Sequence, residues 1–211
     1  MYTIIRNNLK KGSKEMIEGE TLSLDAVEAG RHYKNCYFSS ASQPIRLSDV
    51  TFERCEFQQT DFENSEWLDC RLIHLNLSNH SLNSSVFYRC VFEKCQLIGT
   101  NFYFNHWKNN QVIESKANYL NLSESALENC SFTDCFLPDS YFQSVKIKKT
   151  LAFIRCELEE ADFFDTPLKG VDFSKSIFSN LRVSPNQLKG CIINPYQAAS
   201  LIQLLGVKIK D

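Results

Sequence analysis

From Leu47 to Ile193 a large apolar side chain returns every fifth residue, with one slip of register. The series opens Leu47, Phe52, Phe57, Phe62, Trp67, Leu72 and runs to Ile147. One extra residue then intervenes, and the beat resumes at Phe153, Leu158, Phe163 and Leu168. Of 30 such centres only Ala117 is small. A period of five fits neither the 3.6 of a helix nor the 2 of a strand. It requires a backbone that turns a corner every five residues, so four repeats close one square coil. The chain is therefore expected to be an all-β repeat solenoid, a quadrilateral parallel β-helix. Thirty repeats make about 7.5 coils, a rod of about 36 Å at the ~4.8 Å spacing between strands.

Two residues before each centre runs a second series, mostly small: Cys55, Thr60, Ser65, Cys70, Ser85, Cys90, Cys95 and so on. All nine cysteines belong to it, once Cys36 and Cys191 are counted. A narrow tube needs a small residue beside each large one, and cysteine serves as a small soft hydrophobe. Zinc sites favour C-x(2–4)-C pairs with closing His or Cys ligands. Here Cys90/Cys95 and Cys130/Cys135 are five apart and fall on adjacent sides of a coil. The reading is packing in a reducing compartment, with neither metal nor cofactor.

The other three positions of each repeat face outward, and each side recurs every twenty residues. On the sides centred on Phe57 and Phe62 this places Glu56, Asp61, Glu63, Glu124, Asp139, Glu157, Glu159, Glu160, Asp162 and Asp165. Only Lys116 and Arg182 oppose these ten acids, a net of −8. The sides centred on Phe52 and Trp67 carry nine acids and thirteen bases, a net of +4. Segregated charge of this kind is either an ordinary solvated surface or a docking face for a basic partner.

Two stretches disturb the beat. Ser39–Arg46 has no clean phase and contains Pro44, so it reads as a loop leaving the coil. Lys108–Asn121 puts Asn110 at a small-residue position and Ala117 at a large one, either a distorted coil or a projecting loop. At the C-terminus the period changes. Asn194 suits a helix N-cap, Pro195 its first turn and Gly206 its exit. Ala198, Leu201, Ile202 and Leu205 make one apolar stripe, and Leu204 adds to it. That stripe either caps the rod or pairs with a second copy, and pairing is favoured. Val207–Lys210 alternates like a short strand. The organisation is thus residues 1–30 as an N-terminal cap, 31–193 as the β-helix, and 194–211 as a capping or dimerisation helix with a short strand.

No catalytic constellation stands out. His32, His74, His80 and His106 are scattered, and there is no GxGxxG, P-loop or HExxH. His80, at an inward position, reads as a hydrogen-bonded core histidine. A convex rod offers no cavity to perturb carboxylates, so an enzyme is not expected. No apolar run of signal-peptide or membrane-spanning length occurs, and the expectation is a cytoplasmic protein without membrane contact. A net charge of −2 gives no reason to expect direct binding of nucleic acid.

Repeats such as CEFQQ-TDFEN-SEWLD and CVFEK-CQLIG-TNFYF resemble those of the pentapeptide-repeat proteins, over about residues 31–193. The resemblance implies a right-handed quadrilateral β-helix. Within the family, the layout is similar to the quinolone-resistance (Qnr), albicidin-resistance and microcin-immunity proteins. The carriers of that likeness are Cys36-Tyr37-Phe38 followed by an irregular stretch, a second irregular stretch at mid-rod, and a terminal helix with Asn194, Gln197, Ala198, Leu201 or Ile202, Leu205, Gly206 and Val207. It implies a homodimer joined through the C-terminal helices. It also implies a DNA mimic that binds DNA gyrase or topoisomerase IV and protects it from inhibitors such as quinolones or peptide toxins. Ten acids along ~36 Å is about half the charge density of duplex DNA, one per ~1.7 Å. The competing reading is a structural scaffold with an unrelated protein partner.

Overall fold

The computed structural model describes residues 15–208. Over that span the chain winds into a parallel β-solenoid of about 8 turns with one short C-terminal helix. Each coil has four sides. The first is centred on Leu47, Trp67, Phe87, Trp107, Leu127, Ile147, Leu168 and Leu188, and the second on Phe52, Leu72, Phe92, Val112, Phe132, Phe153, Phe173 and Ile193. The third runs through Phe57, Leu77, Leu97, Ala117, Leu137, Leu158 and Phe178, and the fourth through Phe62, Leu82, Phe102, Leu122, Phe142, Phe163 and Val183. Successive coils pair twenty residues apart, as in Phe87 with Trp107 and Phe92 with Val112. The slip is a one-residue bulge: Glu128 pairs with Lys148, but Cys130 pairs with Leu151. The first two sides are true ladders. The third and fourth are mostly single bridges such as Asn76 with Gln96 and Asn101 with Asn121. Turn bonds tighten their corners, with Thr100 N–H donating to the Leu97 carbonyl at 3.2 Å and Ser125 to Leu122 at 3.3 Å.

The centres make the core. Rings stack along the rod, Phe132 on Phe153 at 5.4 Å and Phe153 on Phe173 at 5.6 Å. Phe142 meets Phe153 edge-on across the coil at 5.4 Å, the geometry that aromatic quadrupoles favour. Ala117 does not leave a hole, because Leu120 fills the small-residue position of the same coil and is fully buried.

Small residues beside the centres are also donors. Ser125 Oγ donates to the Phe102 carbonyl at 3.0 Å, Thr100 to Leu77 at 2.8 Å, and Cys90 Sγ to Trp67 at 3.3 Å. In these three the carbonyl reached is that of a centre one coil below, whereas Ser115 and Ser140 donate within their own coil, to Ile113 and Leu137. Hydroxyls and amides in this column also accept an N–H from the coil below, as Ser115 Oγ does from Cys95 at 3.0 Å. Eight cysteines are buried and Cys191 is half-buried, all as free thiols. Burial pushes Cys55 up to about 12 and Cys95 and Cys130 up to about 11, which leaves them poor nucleophiles. One column pair is imperfect. Trp67 Nε1 donates to Ser65 Oγ at 2.7 Å, but Trp107 has Asn105 in that place, and both Trp107 Nε1 and Asn105 Nδ2 lack partners.

Most corners are a residue in the left-handed region, two positions after a centre: Asn64, Asp69, Asn79 and Asn109, for example, lie at φ between 55° and 59°. Among the described residues twenty-three non-glycine residues adopt it, and ten are Asn or Asp, whose side chains tolerate the region best.

Several expectations need correction. Ser39–Arg46 does not leave the rod. Tyr37 pairs with Glu56, nineteen residues on, so the coil is one residue short and has no length to spare for a loop. Asp25 holds the segment, accepting from Ser42 N–H at 2.8 Å and Ser42 Oγ at 2.7 Å. Lys108–Asn121 is an undistorted coil, with Gln111–Ile113 laddered on both sides and Lys116 and Asn121 bridged to their neighbours. The ladder also begins earlier than residue 31. Glu15–Glu18 pairs with Arg31–Lys34, so half of the expected N-terminal cap is a first coil of sixteen residues. The helix is Pro195–Leu201, continued as a 3-10 turn over Ile202–Leu205. Val207 and Lys208 are irregular, and the rest of the expected terminal strand lies outside the described residues.

Candidate functional site

The third and fourth sides hold the ten carboxylates singled out in the sequence, and the structure separates them. Glu56, Asp61 and Glu63 sit on the first complete coil. Glu124, Asp139, Glu157, Glu159, Glu160 and Asp165 sit three to five coils further on, about 14–24 Å away at ~4.8 Å per coil. Asp162 is not a surface group. It is 8% exposed and accepts from Gln143 Nε2 at 2.7 Å and Phe164 N–H at 2.8 Å. Glu160 and Asp139 share Arg182, at 2.9 and 3.6 Å. Asn180 and Arg182 hold Glu160 below the usual carboxylate range. Glu159 accepts from Ser179 N–H at 2.6 Å. Glu56, Glu124, Glu157 and Asp165 remain exposed with no base within bonding distance among the described residues.

Between the two acidic groups lies a band that charge counting could not reveal. Phe104 is 53% and Tyr119 51% exposed, and both occupy left-handed corners, at φ 58° and 59°. A bulky aromatic residue is disfavoured there, and disfavoured again in water. Tyr103 lies beside Phe104, ring centroids 6.3 Å apart. With Asn121, Ser123, Glu124, Tyr141, Gln143 and Ser144 it lines a shallow depression of about 280 Å³ on the fourth side. The hydrogen bond from its hydroxyl to Glu124 raises the Tyr103 pKa above the usual phenol value. Exposed rings rimmed by polar and acidic groups are the composition of a protein-binding patch rather than of a catalytic pocket.

At the C-terminal end the stripe splits. Gln197 and Leu201 face the rod, Gln197 Nε2 donating to the Phe173 and Ser176 carbonyls at 2.9 and 2.7 Å. Leu201 is 7% exposed, so it caps the coil and is not free for pairing. Ala198, Ile202, Leu204 and Leu205 are exposed, beside a depression of about 400 Å³ that Leu188 and Ile193 also line.

The histidines do not assemble. His80 is half-buried, its Nδ1 3.0 Å from the Ser78 carbonyl and its ring on Phe62, while His32 faces Glu53 at 3.0 Å. Among the described residues no group of three His, Cys, Asp or Glu could hold a metal ion. No helix among them is long and apolar enough to cross a membrane.

Residues 85–163 match the profile of the pentapeptide repeat region. That stretch is a pentapeptide repeat region. The rod superposes on full-length QnrB1, a plasmid-mediated fluoroquinolone resistance protein, with a TM-score of 0.55 and 17% identity. That alignment covers 92% of this chain and 100% of the other. A trypsin-treated form of QnrB1 gives 0.51 and 17%, covering 93% and 97%. HetL, a pentapeptide repeat protein involved in heterocyst differentiation regulation from the cyanobacterium Nostoc, gives 0.38 and 10%, covering 86% and 81%. No curated protein sequence matches the chain. At these identities the likeness is one of fold.

Proposed function

We propose that this protein is a non-enzymatic docking rod that binds a type II topoisomerase, DNA gyrase or topoisomerase IV, and protects it from inhibitors. The observation that carries the reading is the aromatic band of Tyr103, Phe104 and Tyr119 flanked along the rod by carboxylates. The fold shared with QnrB1 supports it. The carboxylates attract a basic, DNA-binding surface, and the rings supply the desolvated contact that charge alone does not. A scaffold for an unrelated protein partner is the second reading, and it needs the rings but not the acids.

In a supercoiling assay with gyrase and a fluoroquinolone, the wild type is expected to restore supercoiling, or to inhibit it at higher concentration. Glu124→Lys/Glu157→Lys/Asp165→Lys should lose protection more than tenfold while folding normally. Asp162 and Glu160 are left alone because they are tied into the rod. Phe104→Gly/Tyr119→Gly should lose it as well, with stability changed by no more than about 1 kcal/mol, since glycine is at ease in the left-handed region. No relief, and no retention of either enzyme at low salt, would transfer the protein to the scaffold reading.

We also propose that two copies pair through Ala198, Ile202, Leu204 and Leu205. Ile202→Glu/Leu205→Glu should turn a dimer into a monomer in light scattering without lowering the melting temperature. A wild type that stays monomeric at high concentration leaves the helix as a cap only.

A further inference from the structure

Along most of the rod, bases are neutralised coil by coil. Arg46 faces Glu66 at 3.3 Å, Arg71 faces Glu93 at 3.0 Å, Lys94 faces Glu114 at 3.6 Å and Arg155 faces Asp134 at 2.6 Å. Arg89 pairs with Asp69, and Lys108 with Glu128 at 3.4 Å. Each pair joins neighbouring coils, where opposite charges favour the ladder and like charges oppose it.

The first side abandons this rule after Glu128. Its remaining outward positions are Lys146, Lys148, Lys149 and Thr150, then Pro167, Lys169 and Gly170, then Gln187, Lys189 and Gly190. Five are lysines and none is acidic. All five are exposed. Lys149 turns back to Glu128 at 2.6 Å, and that carboxylate also holds Lys108, so its charge is already spent. Lys146, Lys148, Lys169 and Lys189 have no carboxylate within 4 Å among the described residues. Asp165, at the preceding corner, and Asp172, beside Phe173 on the second side, make no ion pair with them.

Register makes three of the four a column. Glu128 pairs with Lys148, Phe142 stacks on Phe163 across the bulged coil at 5.0 Å, and Gly170 N–H donates to the Gly190 carbonyl at 2.9 Å. Lys148, Lys169 and Lys189 therefore occupy successive rungs, about 10 Å from end to end, with Lys146 about 7 Å to the side. Gly190 lets the column form. A Cβ there would come within 3.2 Å of Lys169 Cγ, and the residue sits at φ +80°. Stacking three like charges without counter-ions works against the fold, and such a breach of a rule kept elsewhere in one chain points to a use outside the fold.

We propose that this lysine column is a binding surface for the phosphodiester backbone of duplex DNA. One DNA strand presents a phosphate charge per ~3.4 Å of axis, about three over 10 Å, which matches the three rungs. The residues between the lysines are Pro167, Gly170, Gln187 and Gly190. They give a low surface on which the small ring of Pro167 is the one apolar side chain among the four, too little to anchor a protein. Lysine supplies point charges without base-reading geometry, so binding is independent of sequence. Neither the net charge of −2 nor a whole-side count of +4 reveals the column, because the acids that balance it lie on other coils. The proposal does not depend on the topoisomerase reading, which uses the third and fourth sides of the rod.

Fluorescence anisotropy of the full chain with a labelled duplex of about 20 base pairs tests it. Four lysine–phosphate contacts give a slope near −3.6 in log K against log salt, so raising salt from about 50 to 200 mM should weaken binding roughly 150-fold. Lys148→Glu/Lys169→Glu/Lys189→Glu should abolish binding at the lower salt while keeping the melting temperature. Glu124→Lys/Glu157→Lys/Asp165→Lys should not weaken it. Absence of binding by the wild type at 50 mM would overturn the proposal, and so would binding unaffected by the triple lysine variant. Tighter binding of polyglutamate than of duplex would assign the column to an acidic protein instead.

Discussion

Phe153→Asp is expected to abolish cooperative folding. The ring is 1% exposed and touches four others: Phe132 at 5.4 Å, Phe142 at 5.4 Å, Phe163 at 5.8 Å and Phe173 at 5.6 Å. Truncating such a ring costs about 3–5 kcal/mol. Leaving an unpaired carboxylate in its place adds several kcal/mol more. Together these reach the whole stability of a typical domain, about 5–15 kcal/mol. Phe153→Leu keeps an apolar group there and should cost roughly 1–2 kcal/mol. Circular dichroism and urea titration separate the outcomes. An aspartate variant that melts cooperatively within a few degrees of the wild type would remove the ring stack from the core.

That a rod exists was plain from the beat itself, because a five-residue period admits no other regular backbone. The single slip near Lys149 was equally plain, and it is a bulge. What could not be read was the corner. The residues two after the centres look like an arbitrary set, Asp69, His74, Arg89, Lys94, Phe104, until the backbone shows that these and most of the others are left-handed. Asn and Asp are the trace of that constraint in the sequence, diluted by residues that accept the strain. Phe104 and Tyr119 then stand out as choices that folding alone does not explain.

Both misread segments failed for one reason, that a break in side-chain size was taken for a break in backbone path. At 39–46 the chain drops one residue and recovers through Asp25. At 108–121 Ala117 and Leu120 exchange sizes within an unbroken coil. The acidic side was legible as a count but not as a surface. Counting cannot distinguish Asp162, turned inward to Gln143, from Glu157, open to water. The lysine column was illegible for the complementary reason, since pairing is decided coil by coil and a sum over a side erases it.

Asn110 tests whether the inner column is chosen for size or for hydrogen bonding. It is 1% exposed; its Oδ1 accepts from Cys90 N–H at 2.8 Å and its Nδ2 donates to the Phe87 carbonyl at 2.9 Å. Valine fits the position, as Val50 and Val145 show elsewhere in the column, but it would strand both partners in the core. Each buried group left unpaired costs about 1–3 kcal/mol, so Asn110→Val should destabilise the rod by about 2–6 kcal/mol. Asn110→Ser should lose no more than about 1–2 kcal/mol, because a serine can make both bonds. Ser125 does so, accepting from Asn105 N–H at 2.9 Å and donating to the Phe102 carbonyl at 3.0 Å. Equilibrium urea unfolding of the two variants gives the comparison. If valine and serine proved equally mild, the column would be there to fill space, and its cysteines, serines and threonines would be interchangeable with alanine. If valine alone is severe, the small residues are the rungs that tie each coil to the one below, and the fold depends on them as it does on the rings.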